Sequence, residues 1–313
     1  MENRIKEIDY LKCILIILMV AFHLVYIGDK YPYAKQIVYT FHMSAFLLIS
    51  GYLINIQKST YSFLKKYFWI FIPYACMEIG YAIASYHLPV RDGMSELSIG
   101  LLVSKIFIKP IGPYWYLHTL IICCFIYYAV FHYLKFSTIN RLIILGTCLF
   151  IVSYLGLTVF ANVIYFFIGT IIYQSKITFT RLFPPSSTAI IPMIILCSFP
   201  ENLNRGSLAG ITITYLAISI LLSLFYYLPE NIKTGLYFIG RNTLVIFLFS
   251  PVFTILSKLF LPIFTFEPSG ILFLITAVLF TITGSIATAW IMDKMYLSTF
   301  FFGKERVLSH YKL

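Results

Sequence analysis

Charge is the scarcest property of this sequence. Of its 313 residues only 11% are Asp, Glu, Lys or Arg, against roughly 25% in a soluble globular domain. Too few polar side chains remain to coat a water-facing surface. That excludes a cytosolic enzyme, a secreted disulfide scaffold and a disordered chain. Paired cysteines are missing too. The six present (Cys13, Cys76, Cys123, Cys124, Cys148 and Cys197) all lie in apolar stretches, and none forms a CxxC pair. They read as buried free thiols rather than metal ligands. The N-terminal apolar run from Tyr10 to Ile27 is too long for a signal-peptide core and lacks a small-residue cleavage site, so it reads as a retained span. No periodic repeat, low-complexity tract or soluble module interrupts the chain, which predicts a single membrane domain over 1–313.

What is present is apolar: 60% hydrophobic residues, 19% aromatic residues and a mean hydropathy of +0.88. The solvent for such a chain is lipid, and the fold class is an all-α, polytopic helical bundle. Ten apolar segments are expected, near 10–27, 37–56, 67–86, 114–134, 142–160, 161–175, 188–200, 208–228, 241–262 and 271–292. The seventh is short, carries Pro192 and is flanked by Pro184, Pro185 and Pro200. The largest polar loop, Tyr86–Pro113, contains an apolar piece from Ile99 to Ile108 that reads as a helix lying in the membrane interface.

The formal net charge of +11 is distributed unevenly. With the N-terminus placed in the cytoplasm, the inner side collects sixteen cations, from Arg4 and Lys6 to Lys312. The outer side holds six: Lys30, Lys35, Arg91, Lys105, Lys109 and Arg205. Lys258 falls inside the ninth segment. This bias predicts both termini in the cytoplasm. It accounts for the basic balance through membrane topology and anionic lipid head groups, without a nucleic-acid partner.

Spans and orientation together give each ionisable residue a depth, and an ionisable group inside a bilayer is expensive, so its presence points to use. His23, His42, Glu78 and His118 come from four consecutive spans and fall in the outer half. The fourth of these spans opens with Tyr114-Trp115-Tyr116-Leu117-His118. Each residue has a plainer reading. His42 and His118 suit helix–helix hydrogen bonds, Glu78 suits pairing with a histidine, and Trp115 and Tyr116 suit the interfacial aromatic belt. No HxxxH or HxxE pattern links them, so no metal site is expected.

On the first span Asp9 and Lys12 stand one turn apart and can pair. Lys12 and His23 are eleven positions apart, just over three turns, and so share a face with a rise of about 16 Å. A cation near the inner surface and a titratable imidazole toward the outside therefore lie along one helix edge. The plainer reading is a snorkelling lysine and a packing histidine.

These residues resemble the opening of the bacterial membrane acyltransferase family 3, whose first helix carries Arg or Lys, ten residues, then His. Here Lys12 and His23 match. Phe41-His42-Met43, continuing to Ser50-Gly51-Tyr52, resembles that family's second-helix signature. Trp115-Tyr116-Leu117 resembles its Trp-Phe-Leu element, and Gly240-Arg241-Asn242-Thr243-Leu244 its late Gly-x-Asn-Ser-Leu element. The chain has Lys12 where Arg is commoner and Ser250 where many members place a His. The resemblance implies transfer of an acyl group, usually acetyl, from cytoplasmic acyl-CoA to a hydroxyl of a cell-surface carbohydrate. Acyl-CoA is then a donor substrate rather than a resident cofactor.

In that reading Lys12, Arg241, Asn242 and Arg141, with Lys65 and Lys66, hold the donor's phosphates at the inner face. Gly240-Arg241-Asn242 opens a helix whose N-terminus favours anions. For Lys65, Lys66 and Arg141 the plainer reading is positive-inside charge alone. His23 and Lys12 are the catalytic candidates. His23 acts either as general base or as a covalent acyl carrier. His42, Glu78, Trp115, Tyr116 and His118 are the acceptor-binding candidates. Ser50-Gly51 also lets two helices approach closely. The implied setting is the bacterial cytoplasmic membrane, with lipids as neighbours and room for a homo-oligomer. Two rivals come from other classes: a flippase or transporter of a lipid-linked sugar or small acid, and a non-catalytic partner in polysaccharide assembly. The first would more often show paired repeats with broken helices, and no such symmetry is visible.

Overall fold

A computed structural model describes residues 5–87, 94 and 96–309. Arg4, Arg91 and Lys312, given sides of the membrane above, lie outside the described residues, as do both chain ends and part of the loop after Tyr86. Among the described residues there are helices and irregular segments and no strand. The helices are α1 (Lys6–His23), α2 (Val25–Lys30), α3 (Pro32–Leu53), α4 (Thr60–His87), α5 (Ile99–Phe107), α6 (Trp115–Tyr133), α7 (Thr138–Tyr154), α8 (Phe160–Gln174), α9 (Phe179–Leu182), α10 (Ile190–Cys197), α11 (Leu208–Tyr227), α12 (Glu230–Arg241), α13 (Thr243–Leu256), α14 (Ile271–Lys294) and α15 (Leu297–Phe302).

Among the described residues six stretches are long and apolar enough to cross a membrane: α3, α4, α11, α14, Gly112–Tyr133, and Thr243–Phe264, where a 3₁₀ helix continues α13. Helix α1 has 18 residues, a length of about 27 Å, but Lys6, Glu7, Asp9 and Lys12 crowd its first two turns. Helices α7 and α8 are shorter apolar helices. Buried hydroxyls along the helices bond back to carbonyls one turn earlier, Thr214 to Gly210, Thr281 to Ala277 and Ser285 to Thr281. That satisfies them without water.

The seventh apolar segment departs from the expected span. Its helix, α10, has eight residues, about 12 Å, too short to cross a hydrocarbon core of about 30 Å. The chain instead runs beside α11 as an irregular piece, then α10, then a 3₁₀ turn at Pro200–Leu203. At one end the Ser186 amide donates to the Ser219 carbonyl (3.2 Å). At the other, Asn204 lies against Gly210. Pro184 and Pro185 bring no amide hydrogen and oppose helix there. Two further differences concern single elements. Helix α12, read as loop from the sequence, is a 12-residue amphipathic helix. Cys76 is exposed and Cys148 only partly buried, so the thiols are not all interior. The piece after Ile99 does form a helix, α5, capped by the Ser98 hydroxyl.

Close contacts divide the chain into two compact units. One holds Met1–Phe46, Ile177–Thr299 and Lys304–Leu313; the other holds Leu47–Lys176 and Phe300–Gly303. In the first, α1 is the central helix, with Leu11, Cys13, Leu15 and Val20 fully buried, and it packs against α11, α12, α13 and α14. Before α14, Glu267 accepts bonds from the Ser269 hydroxyl and from the Ser269 and Leu272 amides, and these hold its carboxyl below the usual range. In the second unit, α6 packs against α4, α7 and α8. The end of α3 crosses α8 at a reciprocal glycine contact. A Cβ on Gly51 would strike the Phe166 carbonyl, and one on Gly169 would strike the Leu48 carbonyl.

This crossing tolerates no added carbon. Gly51→Ala should therefore destabilise the purified protein by about 1–3 kcal/mol. Gly235→Ala, on α12 with nothing within 4 Å of the new carbon, should stabilise it by about 0.5–1 kcal/mol. Thermal unfolding of the two variants in detergent separates close packing from intrinsic helix propensity.

Candidate functional site

Helix α1 positions a group at each of its ends. Asp9 and Lys12, one turn apart, form an ion pair of 2.9 Å, as their spacing predicts. The other Asp9 oxygen accepts from Arg241 Nε at 3.0 Å. Asp9 is 6% exposed, so one buried carboxylate joins two cations. The approach of α12 that delivers Arg241 depends on Gly240, where a Cβ would collide with the Asp9 carbonyl.

The local geometry around Arg241 differs from the sequence reading. Gly240 and Arg241 close α12 rather than open a helix, and Asn242 joins α12 to α13. A cation at a helix C-terminus faces the negative end of the helix dipole, which favours Arg241 where it stands. Asn242 is engaged at both ends of its amide. Nδ2 donates to the Phe238 carbonyl (2.8 Å), and Oδ1 accepts from the Ser309 amide (2.9 Å). The chain reaches Ser309 through a tie at Asp293, whose carboxylate accepts from the Val307 and Leu308 amides and the Ser298 hydroxyl.

At the other end, about 16 Å along α1, is His23. Its Nδ1 donates to the Met19 carbonyl at 2.7 Å. A carbonyl only accepts, so the proton is on Nδ1 and the lone pair is on Nε2. His42, on α3, repeats the arrangement, with Nδ1 donating to the Val38 carbonyl at 2.7 Å. His42 is 2% exposed, and its Nε2 has no hydrogen-bond partner. Between the two imidazoles lies the Tyr39 ring, 5.7 Å from His23 and 5.2 Å from His42 between centroids. The Tyr39 hydroxyl donates to the Phe22 carbonyl, fastening α3 to the end of α1. Lys35 and Arg205 are the cations in electrostatic range, of His23 and His42 respectively. The structure thus brings His23 and His42 together, and adds Tyr39 and Lys35, which sequence reasoning missed. The signal was available: 35, 39 and 42 fall on one helical face.

The second unit holds the remaining candidates. Glu78, fully buried on α4, accepts the Ile111 amide on Oε1, while Oε2 has no partner. His118 Nε2 donates to the Phe107 carbonyl (3.0 Å), and the Tyr74 hydroxyl donates to the Ile106 carbonyl (2.8 Å). Glu78 and His118 therefore anchor the backbone of residues 106–111. The Tyr116 and Ser50 hydroxyls share a bond of 3.0 Å, and the partly buried Trp115 stands edge-on to Tyr116. Arg141 donates from Nη1 to the Phe131 carbonyl and stacks on the Phe131 ring at 4.7 Å, leaving a buried Nε without a partner.

Asp9 holds the two cations of the first cluster, so its removal takes the shared carboxylate from both. Asp9→Ala should destabilise the protein by about 3 kcal/mol, the low end for breaking a buried ion pair whose cations keep some exposure. Lys12→Ala, which leaves Arg241 on the carboxylate, should cost less. Midpoints of thermal unfolding for the two variants give the comparison, and equal shifts would remove Asp9 as the centre of the cluster.

Chemically, the arrangement offers a cationic cluster at one end of a buried helix and a bare imidazole nitrogen at the other. The family model described as an acyltransferase domain matches residues 5–290. No curated protein and no solved structure matches the chain. The matched region takes in Asp9, Lys12, His23, Lys35, His42 and Arg241, and it covers most of the chain. With its apolar helices and this match, the chain belongs to acyltransferase family 3 and is a multi-pass membrane acyltransferase.

Proposed function

We propose that the protein is an O-acyltransferase of the bacterial cytoplasmic membrane. In this reading it moves an acetyl group from cytoplasmic acetyl-CoA to a hydroxyl of a surface polysaccharide or lipid-linked glycan. The observation that carries the reading is the layout of α1, with Lys12 and Arg241 gathered on Asp9 at one end and His23 Nε2 bare at the other. The donor is strongly anionic at its nucleotide end and carries its acyl group on a long thin arm. The phosphates bind at the Lys12–Arg241 cluster, where charge-assisted bonds are strongest. The arm runs along α1 and presents the thioester at His23.

His23 is the general base. Nε2 takes the proton of the acceptor hydroxyl as that oxygen attacks the thioester carbonyl carbon. A C–O bond forms, the C–S bond breaks, and the proton passes to the departing thiolate, which leaves as free CoA. A neutral imidazole with its lone pair on Nε2 suits this exchange. His42 Nε2 accepts a second hydroxyl of the acceptor and so orients it, which supplies the donor that this buried nitrogen lacks. Asn242 positions Arg241 rather than touching the donor.

The orientation belongs to the same proposal, with both termini and the Lys12 end cytoplasmic, and His23 and the segment after α5 outside. In a cysteine-free background, a cysteine at Lys109 should react with an impermeant maleimide in intact cells. Labelling only after permeabilisation would reverse the topology.

Acyl transfer itself is tested with purified protein, labelled acetyl-CoA and a panel of surface glycans, by following CoA release and label on the glycan. His23→Ala should lower transfer by about 10²–10⁴-fold, the usual contribution of a positioned general base, with normal expression and insertion. A well-folded His23→Ala variant that transfers at close to the original rate would eliminate this mechanism.

A further inference from the structure

Lys35 is held in a built position, and among the described residues no carboxylate pairs with it. It lies on the same face of α3 as Tyr39 and His42. Its ammonium is 5.6 Å from the centre of the Tyr39 ring, the ring that separates the two histidines. The side chain is partly buried and crosses α2 at Gly28. A Cβ there would come within 2.9 Å of Nζ, 3.1 Å of Cδ and 3.2 Å of Cε. A lysine that only snorkels extends into water; this one is folded over a glycine that leaves room for it. Three cations of the same unit have carboxylates, Lys12 and Arg241 on Asp9 and Lys233 on Glu230, whereas Lys30 and Lys294 stand over aromatic rings without the two histidines beside them. Among the described residues no carboxylate or hydrogen-bond acceptor meets Lys35 Nζ, and the Tyr39 ring compensates its charge only in part.

Three unmet groups therefore surround one ring: a cationic donor at Lys35 and two imidazole nitrogens, His23 Nε2 and the buried His42 Nε2, that lack donors. A neutral polyol satisfies the two acceptors and leaves the cation bare. A polyol that carries an anionic group satisfies all three. Resting on the acyltransferase reading above for the identity of the site, we propose that the acceptor is an acidic carbohydrate, and that Lys35 binds its carboxylate or phosphate beside the hydroxyl that is acylated. Lys35 is then the residue that sets acceptor class, and Gly28 is the residue that places it.

The test titrates glucuronate, glucose 6-phosphate and glucose against the full-length protein in lipid nanodiscs, by calorimetry, and follows CoA release from acetyl-CoA in parallel. The original chain should bind at least one of the two acidic probes about tenfold to a hundredfold more tightly than glucose, the range expected for one charge-assisted contact. Whichever acid is preferred identifies the anion as carboxylate or phosphate. Lys35→Ala should erase the preference and leave glucose binding unchanged; Lys35→Arg should keep it; Gly28→Ala, which leaves the lysine in place but denies its seat, should weaken it. Equal binding of acidic and neutral probes, no saturable binding of either acid, or a preference that survives Lys35→Ala would each overturn the proposal. The parallel readout keeps the two readings apart. CoA release with no acid preference removes this inference alone. Lys35-dependent acid binding without CoA release leaves the anion site standing and removes the acyl-transfer reading.

Discussion

The carboxylate of Asp9 lies on a nearly closed surface and touches two cations from opposite ends of the sequence. Lys12 is one turn away on the same helix, whereas Arg241 is 232 residues further along the chain. Uncompensated, either cation would be costly in an apolar bundle. Sharing one anion keeps them together. The close seating of α12 on α1 at Gly240 exists at the same spot, so packing and electrostatics fix the same contact. The direction of α1, and with it the depth of His23, follows from that seating.

The same helix links the two ends of the proposed reaction. An α-helix is a stiff ruler with a fixed rise per residue, and Lys12 and His23 are read off one edge of it. Neither group needs a loop to position it. The histidine cluster is assembled from α1, α2 and α3, which are consecutive in the chain and meet through the Tyr39 bond to Phe22 and the passage of Lys35 over Gly28. Chemistry built on adjacent helices requires little of the remainder of the fold.

Much of this was legible in the sequence, for physical reasons that differ by element. Long apolar runs announce helices in lipid, and the 3.6-residue period gives the shared face of Lys12 and His23 without a structure. The pairing of Asp9 with Lys12 is likewise local. Arg241 on Asp9 is a contact across 232 residues, which no spacing rule reaches. Helix α12 was missed because its polar stripe lowers its hydropathy to that of a loop, and Arg241 was then assigned to the wrong end of a helix. The seventh segment is apolar enough to be counted, but Pro184 and Pro185 deny it a long helix, so composition and backbone point different ways. Glu78 and His118 were recognisable as costly buried groups; that they grip a backbone segment is a tertiary fact.

Each imidazole of the histidine cluster is steered by a carbonyl of its own helix rather than by an acid from elsewhere. A peptide carbonyl fixes the tautomer as firmly as a carboxylate does, but it carries no full charge. The imidazolium formed when Nε2 takes a proton therefore gains no full negative charge from that carbonyl, in a medium that penalises isolated charge. Such a base holds its proton only briefly. In the reaction proposed, the departing thiolate is the nearest species able to collect that proton, so base and acid steps are bound to a single turnover. No stored charge remains on the helix between one acyl group and the next.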